Sequence, residues 1–323
     1  MLKLAILGCG QIGSRHLQAF ALLSEGAEIH LADPSRESLR IARERFSGAL
    51  PATRKEDFLV HFHDRANSLP EELDVVVVAS GAAHRAELCR SLLSHAHVKA
   101  LILEKFLFQK EFDYGDIGTL LAETVTPCWV NQWMSSLYAF RRLASKLEEG
   151  PYQMEVKGAG WGLCCNAVHF LEYFDFLSGR CNLQVETMNF HGGVIESKRS
   201  GYKELIGEIC ILGEDGSRLV LSCETGPPTN TIAVRIVSSR QSVQFDFGLD
   251  ALDCLWGDGT RETYQIPMQS QLSYISVENL MTGSDPGLPS YERSIYQHLL
   301  VLPTFLEAMR QADPSIGDTC PIT

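Results

Sequence analysis

The chain has 323 residues, 45% of them hydrophobic, which is enough for a substantial core and points to two domains. Its formal net charge of -12 excludes a broadly basic surface of the kind that holds nucleic acid or anionic membranes nonspecifically. The ten cysteines are scattered without a C-x-x-C pair, which reads as reduced thiols of a cytoplasmic protein rather than a disulfide framework or zinc ribbon. No apolar stretch approaches the ~18 residues of a membrane span. The apolar run at the N-terminus is short and leads directly into a glycine loop, unlike a signal peptide.

Leu2 to Leu7 has the length of a buried parallel strand. Gly8-Cys9-Gly10-Gln11-Ile12-Gly13 follows at the G-x-G-x-x-G spacing. Gly8 permits the tight turn, Gly10 lets a pyrophosphate approach bare backbone, and Gly13 lets the next helix pack close to the strand. That helix, expected over Ser14 to Ser24, points its unbonded N–H groups at the phosphates. A second strand ends at Asp33, twenty residues after Gly13, where a carboxylate can bond a ribose 2′-OH. A helix over Ser35 to Phe46 and a short strand over Leu59 to His63 come next. His61 and His63 share one face of that strand, but no cysteine or carboxylate pattern supports a metal, and they read as surface or partly buried polar residues.

Asp74 to Ala79 is the plainest strand, with β-branched residues on both faces. It delivers Ser80 to His84 to its carboxyl end, and a helix runs on to about His95. Val98 to Leu103 is the next strand and brings Glu104-Lys105 to the same edge. A helix over Glu111 to Thr124 and an edge strand over Val125 to Val130 complete a doubly wound parallel sheet. The fold class is therefore α/β, a Rossmann domain over residues 1–128. Residues 129–323 read as an α+β domain for substrate binding and self-association.

In that second part, Ser136 to Glu149 is amphipathic and Leu163 to Leu177 is a strongly apolar helix carrying His169. Leu183 to Ile266 holds several β-rich runs joined by turns, hence an antiparallel sheet. Tyr291 to Gln311 is a terminal helix, bent or restarted at Pro303. A sheet with one apolar face must be covered by helices or by a second subunit, and a homo-oligomer through this sheet is expected. The run Lys198-Arg199-Ser200-Gly201-Tyr202-Lys203 stands out in an acidic chain and suits a carboxylate or phosphate on the substrate. Trp133 and Trp161 suit stacking on a sugar or packing at the domain junction.

The ordered set of Gly8 to Gly13 with Ser14-Arg15-His16, the Ser80 to His84 loop, Glu104-Lys105 and the apolar helix with His169 resembles the glucose–fructose oxidoreductase / inositol dehydrogenase / MocA (Gfo/Idh/MocA) family, nearly end to end. The resemblance implies an NAD(P)-dependent oxidoreductase that moves a hydride to or from a secondary alcohol or ketone of a sugar or sugar acid. In that family a Glu-Lys-Pro motif supplies a lysine for the reacting hydroxyl and the nicotinamide ribose; here it is Glu104-Lys105-Phe106. An Asp-x-x-x-His motif supplies an acid/base histidine; here Cys165 stands at the aspartate position and His169 matches. Lys105 and His169 are the expected catalytic residues, Lys105 first. Gly8, Gly10, Gln11, Ile12, Gly13, Asp33, Ser80, His84 and Glu104 are the expected cofactor contacts. Cys165, Asn166, Tyr173, Lys198 and Arg199 are the expected substrate contacts, and no metal is expected. Asp33 favours NAD, although Ser35 and Arg36 leave NADP open. The cofactor's nicotinamide is expected between the strand tip carrying Lys105 and the helix carrying His169. The substrate is expected to be a small, anionic sugar derivative, with no nucleic acid or membrane as partner. The alternative is a binding or regulatory protein of the same fold that keeps the cofactor and loses catalysis.

Overall fold

A computed structural model describes residues 1–323 except Glu149, Asn230 and Leu249. The chain divides into two compact units. The first contains residues 1–108, 112–131 and 267–293, and the second contains residues 109–111, 132–266 and 294–323. The first unit is thus not one continuous stretch ending near residue 128. Its polypeptide leaves after Asn131 and returns at Pro267.

In the first unit, β1 (Leu2–Leu7), α1 (Gln11–Phe20), β2 (Ala27–Ala32), α2 (Arg36–Ala49), β3 (Leu59–His63), β4 (Glu72–Val78), α3 (Ala82–Leu93), β5 (His97–Leu103), α4 (Glu111–Glu123) and β6 (Cys128–Val130) alternate strand and helix. The six strands lie in the order β3-β2-β1-β4-β5-β6, and all their pairings are parallel. This is the doubly wound order, with its switch point between β1 and β4. The central strands are buried on both faces, as their unbroken apolar runs require: Leu4 to Leu7 and Val75 to Val78 are at most 1% exposed. α2 begins where Ser35 accepts a hydrogen bond from the Ser38 N–H, a side-chain N-cap.

The second unit opens with α5 (Tyr138–Leu147), β7 (Gln153–Ala159) and α6 (Leu163–Leu177). It continues through β8 (Leu183–Asn189), β9 (Val194–Glu196), β10 (Lys203–Leu205), β11 (Gly207–Gly213), β12 (Arg218–Glu224), β13 (Ile232–Val237), β14 (Ser242–Phe247), β15 (Ala251–Trp256) and β16 (Arg261–Gln265). Eight strands form one sheet in the order β16-β15-β14-β13-β7-β12-β11-β8. Every pairing is antiparallel except β12 with β7. β9 and β10 pair separately as a hairpin.

The alternation along β7 and β13 puts Met154, Val156, Val234 and Ile236 inside. The helices cover this face: Phe140 of α5 meets Phe245 edge-on at 6.2 Å, and Phe170 of α6 meets Phe247 at 5.5 Å. The open face of the sheet carries Glu155, Lys157, Arg235, Asp246, Asp253 and Arg261. The apolar face therefore finds its cover within the chain.

After Pro267 the chain forms α7 (Ser273–Met281) and α8 (Tyr291–Ala312). α7 is absent from the elements expected from the sequence. Its Val277 is fully buried in the core cluster with Leu4, Ile29, Phe20 and Val75, which is why the segment belongs to the first unit. α8 is continuous, with Pro303 inside it. Among the described residues, no helix is long and apolar enough to cross a membrane.

Candidate functional site

The glycine loop takes its shape from close approaches that no side chain would tolerate. Gly8 has φ +88°, and a Cβ there would stand 2.6 Å from the Ser80 nitrogen. A Cβ on Gly13 would stand 1.9 Å from the Gly8 oxygen, so only glycine lets α1 start this close to the end of β1. At Gly10 a Cβ would meet nothing within 4 Å, so bare backbone faces open space there. Among the described residues, no side chain caps the start of α1 at Gly10, which leaves its first N–H groups available to an anion. Gln11 is exposed and Ile12 half-buried beside them, and the Gln11 Oε1 accepts from Arg45 Nη1 at 3.0 Å.

Asp33 stands beyond the end of β2. Its Oδ2 accepts from the Cys9 N–H at 2.7 Å and its Oδ1 from the Ser35 N–H at 2.8 Å. These bonds tie the glycine loop to the second strand and still leave each carboxylate oxygen a lone pair for a ribose hydroxyl. The Cys9 thiol is pushed up by burial and by Asp33, so it stays protonated. Ser80 follows β4, and its Oγ is buried without a hydrogen-bond partner among the described residues. A buried hydroxyl of that kind calls for an outside partner. The cradle, the uncapped helix start and this hydroxyl fit a dinucleotide. His84 lies on the first turn of α3 and is exposed.

Glu104 has a different place from the one expected. It is 7% exposed, and its Oε1 is bonded to His16 Nε2 at 2.8 Å and Asn131 Nδ2 at 2.5 Å. His16 Nδ1 reaches Ser273 Oγ at 2.6 Å, and Gln269 Nε2 donates to the same hydroxyl at 3.0 Å. Burial opposes the Glu104 charge, but the His16 and Asn131 bonds, with Arg85 nearby, outweigh it and hold the carboxyl down at about 2. An ionised Glu104 only accepts, so the His16 Nε2 carries the proton. Glu104 thus braces the strand end internally, and its neighbour Lys105 is half-buried.

The missed residues of this network left a trace in the spacing. His16 falls on the buried stripe of α1 with Gly13, Leu17 and Phe20. Arg85 falls on the buried stripe of α3 with Ala82, Ala86 and Cys89. A polar residue at a core position is the signal in both cases.

A second imidazole cluster sits on β2 and β3. His30 Nδ1 lies 3.0 Å from His63 Nε2, the His30 and His61 rings stack at 4.9 Å, and Glu28 Oε1 is 3.2 Å from His30 Nε2. Burial, opposed by Glu28 and aided by His61 and His63, brings His30 down to about 4. Among the described residues, no group of three His, Cys, Asp or Glu is arranged to hold a metal.

In the second unit, His169 is half-buried on α6, and its ring lies 5.8 Å from that of Trp133. Cys165, one turn earlier on the same face, donates its thiol to the main-chain oxygen of Thr323. Asn166 Nδ2 donates to the Trp161 oxygen at 2.8 Å. Tyr173 corrects the sequence reading: it is fully buried, and its hydroxyl donates to the Phe140 oxygen at 2.9 Å. It shares the spacing of His169, but α6 is covered almost all round at that level, so Tyr173 is core rather than a substrate contact. Trp161 is core as well, with Nε1 donating to the Ser222 oxygen at 2.9 Å. Lys198 and Arg199 are exposed between β9 and β10, while Lys203 pairs with Glu196.

Residues 2–131 match the family described as an oxidoreductase family with an NAD-binding Rossmann fold, Gfo/Idh/MocA. Solved structures share the fold at low identity. An oxidoreductase from Agrobacterium radiobacter, in complex with NAD+, L-tartaric acid and magnesium, is 14% identical with a TM-score of 0.68; the match covers 95% of this chain and 96% of that one. A 3-ketoreductase from Actinomadura kijaniata, in complex with TDP-benzene and NADP, is 17% identical with a TM-score of 0.66, over 96% and 97% of the two chains. A super-repressor mutant of Gal80p from Saccharomyces cerevisiae is 13% identical with a TM-score of 0.71, over 96% of each chain. No curated protein matches the chain by sequence.

Proposed function

Because residues 2–131 are an NAD-binding Rossmann domain of the Gfo/Idh/MocA oxidoreductase family, we propose that the protein moves a hydride between NAD and a secondary alcohol or ketone of a sugar or sugar acid. The observation that carries this reading is the cradle at Gly8 to Gly13, where, among the described residues, bare backbone at Gly10 and an uncapped helix start leave room for a pyrophosphate. Nicotinamide, when bound, supplies the hydride chemistry. The residues do the rest. Gly8, Gly10 and the N–H groups of α1 hold the diphosphate. Asp33 accepts from the ribose hydroxyls and disfavours a 2′-phosphate by charge. The Ser80 Oγ, buried without a partner among the described residues, bonds the cofactor. Lys105 holds or moves the proton at the substrate oxygen, and His169 is the second acid/base group. Lys198 and Arg199 favour an anionic substrate. The ten thiols suit a reducing, cytoplasmic setting. The open charged face of the eight-stranded sheet is the place we assign to self-association, and a monomer by sedimentation refutes that.

Titration with NADH and NADPH, followed by a panel of sugars, sugar acids and nucleotide sugars read by absorbance, tests the whole reading. Tighter NADH binding and turnover lost in Lys105→Ala are the expected results. Unchanged turnover in that variant removes Lys105 from the chemistry.

One observation favours a second reading, a cofactor-binding regulator. Cys165 stands where the family resemblance calls for a carboxylate, and its thiol is engaged with the Thr323 oxygen. Binding of NADH with no turnover across the panel supports that alternative.

A further inference from the structure

We infer that Arg85 is a positioning residue of the candidate site: its guanidinium locks the main chain after Lys105 to the main chain of Ser80, and so sets the frame from which Lys105 meets a nicotinamide nucleotide. The inference rests on the nucleotide reading above.

Arg85 is 1% exposed, on the inner stripe of α3, where the helical spacing calls for an apolar side chain. Burying a guanidinium is expensive unless its donors are bonded. Here the Nη1 and Nη2 donors converge on the carbonyls of two loops. Nη1 donates to the Phe106 oxygen and, at 2.8 Å, to the Leu107 oxygen. Nη2 donates to the Ser80 oxygen. Ser80 follows β4 and Phe106 follows β5, so one rigid fork spans the ends of two adjacent parallel strands. These are the two loops that carry Ser80, Glu104 and Lys105.

The side chains of Phe106, Leu107 and Phe108 are all fully buried. Packing therefore anchors the loop by its side chains, while Arg85 anchors it by its carbonyls. A proline at 106 would hold φ by its own ring; Phe106 has no such restraint. The bonds from Arg85 to residues 106 and 107 supply it from outside. The same charge helps to keep Glu104 ionised beside Lys105. An ammonium cannot replace this arrangement, because its donors have no fixed planar fork.

The test compares NADH with ADP-ribose, which lacks the nicotinamide, by calorimetry or fluorescence. Arg85→Met and Arg85→Lys are measured alone and together with Lys105→Met. In the wild type NADH binds more tightly than ADP-ribose. In either Arg85 variant that preference falls by about tenfold, the size of one lost polar contact, while ADP-ribose affinity moves by less than about threefold. In the Lys105→Met background the Arg85 substitutions change the preference no further, because both act through one group. Equal weakening of both ligands, additive effects with Lys105→Met, or an unchanged preference in Arg85→Lys overturns the inference. If Arg85→Met does not fold, Arg85→Lys, which keeps the charge and loses the fork, decides alone. A wild type that binds neither ligand overturns the nucleotide reading, and this inference with it; a wild type that binds both leaves only Arg85 at issue.

Discussion

Replacing Glu172 by glutamine should stabilise the protein at neutral and alkaline pH and leave it nearly unchanged in acid. Glu172 lies on α6, three residues after His169, and is 4% exposed. Its Oε1 accepts from the Ser135 hydroxyl and its Oε2 from the Ser135 N–H at 3.2 Å. Burial raises the carboxyl, the two Ser135 donors oppose the rise, and nearby Asp175 adds to it; the outcome is about 7 instead of the ordinary 4.5. The folded state therefore holds this proton more tightly than the unfolded chain does. The resulting stability is complete below pH 4.5 and is lost as the pH rises through 7. A tenfold change in proton affinity is about 1.36 kcal/mol, so the gap corresponds to roughly 3 kcal/mol. Glutamine keeps the shape and an acceptor for Ser135 but cannot ionise. Urea unfolding followed by tryptophan fluorescence, at constant ionic strength from pH 4.5 to 9, measures the gap between variant and wild type. It should open by roughly 3 kcal/mol in favour of the variant across that range. A gap that stays constant with pH refutes the assignment of a raised carboxyl at Glu172.

Glu104 should behave in the opposite sense. Its carboxyl is depressed to about 2, so its contribution is present above pH 4.5 and is lost as the pH falls toward 2. Glu104→Gln should cost roughly 3 kcal/mol in urea unfolding at pH 7, and a cost below about 1 kcal/mol counts against the His16–Glu104–Asn131 network. Gly13→Ala forces a Cβ against the Gly8 oxygen; a loss of about 1–3 kcal/mol in stability is expected, with NADH binding weakened by more than tenfold in a fluorescence titration. His30, held down at about 4, favours the fold above pH 6.5 and loses that contribution as the pH falls to 4. His30→Gln should therefore flatten the acid limb of the stability profile, read by urea unfolding between pH 7 and 4, and an acid limb as steep as in the wild type counts against the lowered imidazole.

Much of the first unit was legible because its signals are local. A β-branched run such as Val75 to Val78 reads as a central strand, and three glycines at fixed spacing between a strand and a helical pattern, with Asp33 at the end of the next strand, read as a tight strand-to-helix turn. The residues that were missed depend on partners far away in sequence. α7 is nine residues long, and its apolar contacts lie some 250 positions upstream in β1, α1 and β2. Nothing within those nine residues tells a helix that completes a distant core from one that covers a nearby sheet. Glu104 was legible as an acid at a strand tip, but its role as an internal brace became visible only with His16 and Asn131 beside it. Tyr173 went astray for the converse reason. Helical spacing put it on the face of His169, and spacing does not reveal how far along a helix its cover extends.

The return of residues 267–293 to the first unit has a consequence for the order in which the protein is made. A chain growing from its N-terminus produces all six parallel strands by residue 130. It does not yet possess Ser273, which bonds His16, or Val277, which closes the core over Leu4 and Phe20. The part synthesised first thus waits for a late segment to close its core, and until α7 emerges it carries an uncovered apolar surface during translation. A nascent chain stalled after residue 131 should be cut by protease within this first half, and one stalled beyond residue 293 should resist.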